Sequence, residues 1–120
     1  MAATTAWLLF VLGVGHVVYA FVKFREPLLS GVAAGVVVGQ FSSPEVRRTA
    51  FWFVMFGPLL MLAGQVAIYA VGIADLRLLR LVGVNLLVVS AVGLVALPRS
   101  PFLAGALVSA LIVAASYRII

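Results

Sequence analysis

The chain has 120 residues, enough for one domain, and 66% of them are hydrophobic, against about 45–50% in a soluble globular domain. Charged residues make up 9%, where about 25% is usual, and the mean hydropathy is +1.32. So few charges cannot cover the surface of a soluble protein, which excludes a soluble enzyme, a disordered chain and a nucleic-acid binder. The reading is an all-α integral membrane protein.

The first apolar run, Ala2 to Val22, has the roughly 20 residues that a bilayer core about 30 Å thick requires. It lacks a basic leader and ends in Lys23-Phe24-Arg25-Glu26, so it is read as a spanning helix and not a cleavable signal. Residues 28–41 come next, fourteen without a charge, which as a helix span only about 21 Å. That length predicts a short re-entrant or interfacial segment. Ser42-Ser43-Pro44-Glu45 then supplies hydroxyl caps, a first-turn proline and a carboxylate for a helix start.

The second span is predicted at 49–72, the third at 78–97 and the fourth at 101–120. Asp75 is the predicted cap of the third span; Ser100 is that of the fourth, with Pro101 at its first helical position. Phe51-Trp52-Phe53 reads as an aromatic belt, and Gly57-Pro58 as a bend in the second span. None of the four runs alternates apolar with polar residues, so a β-barrel is excluded.

The net charge of +5 comes from eight basic residues against Glu26, Glu45 and Asp75. The basic residues sit between apolar runs, where they anchor helices and set orientation. Lys23, Arg25, Arg47, Arg48 and Arg99 fall on one side; Arg77, Arg80 and Arg118 fall on the other. Five against three places the long first connection in the cytoplasm. No cysteine is present, which removes disulfides and thiolate chemistry.

Polar groups within the spans are few. His16 is the one ionisable residue there, and a lone histidine bonds a carbonyl or hydroxyl of a neighbouring helix or, less commonly, ligates a metal, relays protons or binds a cofactor. Gln65 and Tyr69 are four apart and share a helix face; Asn85 and Ser90 are five apart and do not. His16, Gln65, Tyr69 and Asn85 are therefore the candidate polar site. Gly31, Gly35 and Gly39 form one stripe of small residues, and Gly105, Ser109 and Ser116 another, with Ala106, Ala110 and Ala114 beside it. Both main stripes are expected to pack against helices of this chain or of a partner, the alternative for the weakly polar one being the lining of a narrow polar cavity. There is no phosphate loop, zinc motif or carboxylate pair, so no catalytic, cofactor-binding or metal-ligating residue is assigned.

Gly15-His16, Phe24-Arg25-Glu26-Pro27-Leu28, Arg48 with Ala50-Phe51-Trp52-Phe53, and Phe56-Gly57 carry a family resemblance. Gly64, Gly83, Gly93, Pro98 and Ser100 extend it over nearly the whole chain. Together they resemble an uncharacterised family of small bacterial membrane proteins with four predicted helices. The chain departs from it at Pro101, more often glycine in the family, and in its valine-rich 31–41 segment. The resemblance implies topology and carries no activity.

The functional expectation is an accessory or structural subunit without catalysis of its own, in a bacterial cell membrane, packed against other membrane subunits and the lipid bilayer. Two alternatives are a homo-oligomeric transporter or channel, and a membrane enzyme or haem-binding protein using His16. No cofactor and no nucleic-acid partner is expected.

Overall fold

A computed structural model describes residues 1–35, 45–98 and 101–120. Among the described residues there are five helices: α1 (Ala2–Lys23), α2 (Arg25–Gly35), α3 (Glu45–Gly72), α4 (Leu76–Ala96) and α5 (Phe102–Ser116). Three of them, α1, α3 and α4, are long and apolar enough to cross a membrane. The fourth expected span is shorter than predicted, 15 residues or about 22 Å.

The reason lies in its C-terminus. Arg118 takes a left-handed backbone (φ 58°), the Arg118 amide bonds the Ala115 carbonyl and the Ile119 amide bonds that of Ala114. This Schellman-type ending stops α5 before residue 120. Its start also differs, because Pro101 is the cap residue and not the first helical residue. Ser100 and Arg99 lie outside the described residues, as do Ser42, Ser43 and Pro44.

Two other starts lie earlier than the hydropathy suggests. Helix α3 begins at Glu45, whose carboxylate suits the positive end of the helix, so Arg47 and Arg48 are helical. Helix α4 begins at Leu76, with the Asp75 side chain accepting from the Leu78 amide at 3.0 Å. Apolar runs locate where a helix meets hydrocarbon, whereas caps locate where its backbone begins.

The short helix α2 likewise begins at Arg25, not Leu28, and at 11 residues is about 16 Å long. The remainder of the predicted 28–41 segment lies outside the described residues. Helices α1 and α3 run antiparallel: Val17 lies against Gly57, and Phe10 against Gly64. The connection between them therefore starts and finishes at one end of the bundle.

Helices α4 and α5 form a second antiparallel pair. A methyl group at Gly83 would meet Ile112 at 2.8 Å, and one at Gly93 would meet the Phe102 ring at 2.5 Å. The two pairs join around Ala6, Leu9, Leu60, Ala67, Leu79 and Ile112, all buried. The outer surface is apolar as well, with Trp7, Leu59, Val88 and Val95 more than half exposed.

Helix α3 ends as α5 does. Ala74 has φ 56°, its amide bonds the Val71 carbonyl, and the Asp75 amide bonds that of Ala70. A left-handed alanine costs about 1–2 kcal/mol, partly offset in a glycine by about 0.5–1 kcal/mol of extra unfolded-state freedom. Ala74→Gly is expected to stabilise the protein by about 0.5–1 kcal/mol. Thermal unfolding followed by circular dichroism in mild detergent checks this, and an unchanged or lower midpoint contradicts it.

Candidate functional site

A cavity of about 780 Å³ lies between the α1/α3 pair and the α4/α5 pair. Its size falls within the roughly 300–1,000 Å³ of small-molecule sites. Each pair supplies one wall: Leu9, Phe53 and Phe56 on one side, Leu86, Phe102 and Ser109 on the other. The cavity reaches the end of the bundle at Lys23, Thr49 and Pro98.

His16 faces this space because Leu9, Gly13, His16 and Ala20 follow helical spacing along the inward side of α1. Its Nε2 is 2.8 Å from the Phe53 carbonyl oxygen. A carbonyl only accepts, so Nε2 carries the hydrogen and, in the neutral ring, Nδ1 keeps a lone pair. The imidazole stacks on the Phe53 ring at 4.3 Å and meets the edge of Phe56 at 5.5 Å. His16 thus ties α1 to α3, and metal or haem ligation through Nε2 requires breaking that tie. Among the described residues, no three His, Cys, Asp or Glu side chains stand together as a metal cluster.

The turn of α3 that carries Phe53 precedes Pro58, which has no amide hydrogen to offer the Val54 carbonyl. The helix nevertheless continues from Glu45 to Gly72. Phe53 turns inward onto His16, so the expected aromatic belt retains Trp52, exposed, with Phe51 half-buried against it.

Two serines line the opposite wall. Ser90 and Ser109 are 6% and 1% exposed, and among the described residues the Ser109 hydroxyl has no hydrogen-bond partner. His16 is seven residues from Lys23, Ser90 six from Ala96 and Ser109 seven from Phe102. At 1.5 Å per residue, all three stand about 10 Å inside the same end of the bundle. At the mouth, the Lys23 ammonium lies 5.6–5.9 Å from the Tyr19, Phe24 and Phe53 ring centres. Among the described residues, Lys23 is the one charged residue that lines the cavity.

The predicted polar site does not assemble. His16 faces inward, whereas Gln65, Tyr69 and Asn85 are exposed on the outside. Gly64 selects the inward face of α3, since its absent side chain permits the closest approach of α1. Gln65, about 100° further round the helix, is consequently turned out. The Asn85 amide donates to the Leu81 carbonyl of its own helix at 2.7 Å.

Of the small-residue stripes, Gly105, Ser109 and Ser116 lie on the side of α5 that meets α4, and the Ser116 hydroxyl donates to the Val113 carbonyl at 2.7 Å. Gly31 is buried, Gly35 is the last residue of α2 as described, and Gly39 lies outside the described residues. The Ser30 hydroxyl beside them donates to the Pro27 carbonyl and accepts from Arg47 Nε.

Two features escaped the sequence reading. Gly13, Gly57 and Gly64 form the α1/α3 seam, signalled only by the seven-residue spacing of the last two. Arg80 Nη2 donates to the Ser116 carbonyl at 3.1 Å, and its guanidinium stacks 3.9 Å above the Tyr117 ring. That places a cation at the negative end of α5. The contact joins residues 36 apart, and no local pattern announces it.

Fold and cavity together define a small all-α protein with three helices long and apolar enough to cross a membrane and an apolar space between two helix pairs. The chain matches the model of a family of unknown function (DUF6463) over residues 1–119 and belongs to that family. No curated protein and no solved structure matches it.

Proposed function

We propose that the protein is a multi-pass integral protein of the cell membrane, without catalytic chemistry of its own, acting as an accessory subunit of a larger membrane assembly. In this reading α5 is a fourth, shorter crossing and α2 stays at the interface. The basic end of the bundle, with Lys23, Arg25, Arg47 and Arg48, faces the cytoplasm.

The observation that carries the reading is the outward position of Gln65 and Asn85 on two long apolar helices. The α3–α4 turn at Ile73–Asp75 lies about 12 Å from Gln65 and about 15 Å from Asn85 along the helix axes. Both amides therefore sit at similar depth within hydrocarbon, where polar capacity left unmet is costly, and the bond to Leu81 uses only part of what the Asn85 amide can form. A neighbouring polypeptide supplies partners that lipid tails do not.

Photo-crosslinking residues at positions 65 and 85 test this, with Leu59 and Val88 as equally outward apolar controls. The expected result is one discrete adduct at 65 and 85, heavier than a dimer of this 12.7 kDa chain and absent at the controls. Adducts only at multiples of the chain's own mass would instead establish the homo-oligomer and overturn the accessory reading.

A further inference from the structure

We propose that the cavity binds one ester-linked acyl chain of an anionic glycerophospholipid, with Lys23 meeting the phosphate and Ser109 donating to an ester carbonyl. The proposal rests on the membrane-embedded reading above but not on the accessory role.

Three observations, ordered by depth, support it. At the mouth, the Lys23 ammonium lies over three ring faces, near the roughly 6 Å limit of cation–π attraction. Among the described residues no carboxylate pairs with it, so its N–H donors remain available to an anion. About 10 Å further in stands the Ser109 hydroxyl, buried and unpartnered, with Ser90 at the same level. A buried hydroxyl without a partner costs about 1–3 kcal/mol, which an acceptor oxygen in the cavity removes.

That oxygen is uncharged, because among the described residues no cation lines the cavity at that depth. His16 offers only the Nδ1 lone pair there, its Nε2 hydrogen being held by Phe53. The deeper walls are hydrocarbon, formed by Leu9, Leu12, Leu60 and Leu86. Anion, then neutral carbonyl, then alkyl chain is the order of groups along a phospholipid. A free fatty acid lacks the middle element, and a neutral carbonyl lipid lacks the first.

The protein, extracted in a non-ionic detergent, is titrated with phosphatidylglycerol, phosphatidylcholine and the ether-linked form of phosphatidylglycerol, and bound lipid is counted by native mass spectrometry. The expected result is saturation at one phosphatidylglycerol per chain, favoured about fivefold over phosphatidylcholine, the worth of one basic residue. Lys23→Gln is expected to abolish that preference. Ser109→Ala is expected to weaken the ester lipid about fivefold and leave the ether lipid unchanged, whereas Ser109→Thr retains binding. Circular dichroism establishes that each variant keeps its helices.

Non-saturating retention without headgroup preference would reduce the contact to annular lipid and overturn the proposal, as would equal losses of ester and ether lipid in Ser109→Ala. Release of the protein from membranes by alkaline carbonate, measured separately, would overturn the membrane reading itself.

Discussion

Gly64→Ala is expected to lower the stability of the α1/α3 pair by about 3 kcal/mol, the upper range for an overpacked interior. A β-carbon at Gly64 would stand 2.6 Å from both the backbone nitrogen and the Cα of Phe10. Those atoms cannot rotate away, so the helices must separate. Separation loosens the contacts of Phe53 and Phe56 with His16 further along the same seam. Gly13→Ala meets the Met61 amide nitrogen at 2.6 Å and is expected to behave similarly. Gly15→Ala provides the contrast: nothing lies within 4 Å of its β-carbon, and removing a helix-interior glycine is worth about 0.5–1 kcal/mol. It should leave the protein unchanged or more stable. Equilibrium unfolding in mixed micelles checks all three variants, and equal behaviour of Gly64→Ala and Gly15→Ala would refute the seam.

Ile112→Ala is expected to cost about 2–3 kcal/mol, and this cost should be coupled to Gly83. Ile112 is fully buried where α5 meets both α4 and the α1/α3 pair. Truncating it forfeits dispersion contacts and leaves a void, each Å³ of which costs about 24 cal/mol. Transfer from water contributes little, because lipid tails are as apolar as the interior. Gly83→Ala alone brings a methyl group 2.8 Å from Ile112 Cγ2 and 3.2 Å from the Val113 amide nitrogen, at a cost of about 1–2 kcal/mol. In the double variant that methyl group occupies part of the void. The combined loss should fall short of the sum by about 1 kcal/mol in a double-mutant cycle. Strict additivity would mean that the two residues do not share the joint.

These expectations turn on contacts that only the folded chain displays, whereas much of the helical plan is local. Asp75 was readable as a cap because a carboxylate before an apolar run has one evident use. The opposite faces of Asn85 and Ser90 followed from five-residue spacing, and one is exposed while the other is buried. His16 bonded to a carbonyl of another helix was the ordinary reading of a lone histidine, and the Phe53 carbonyl holds it.

The all-α architecture, with helices long and apolar enough to cross a membrane, was determined by the sequence by itself, since unbroken apolar length without alternation leaves a backbone in hydrocarbon no other way to satisfy its hydrogen bonds. The inward and outward faces were not. The helices are apolar nearly all round, so hydrophobicity distinguishes the faces weakly, and closeness of approach decides instead. Gly64 therefore turned α3 inward and put Gln65 outside, undoing the polar site expected from His16, Gln65, Tyr69 and Asn85. The common depth of His16, Ser90 and Ser109, on three separate helices, was decided only by the tertiary structure, because the pairing of α1/α3 against α4/α5 sets it and sequence spacing does not span separate helices.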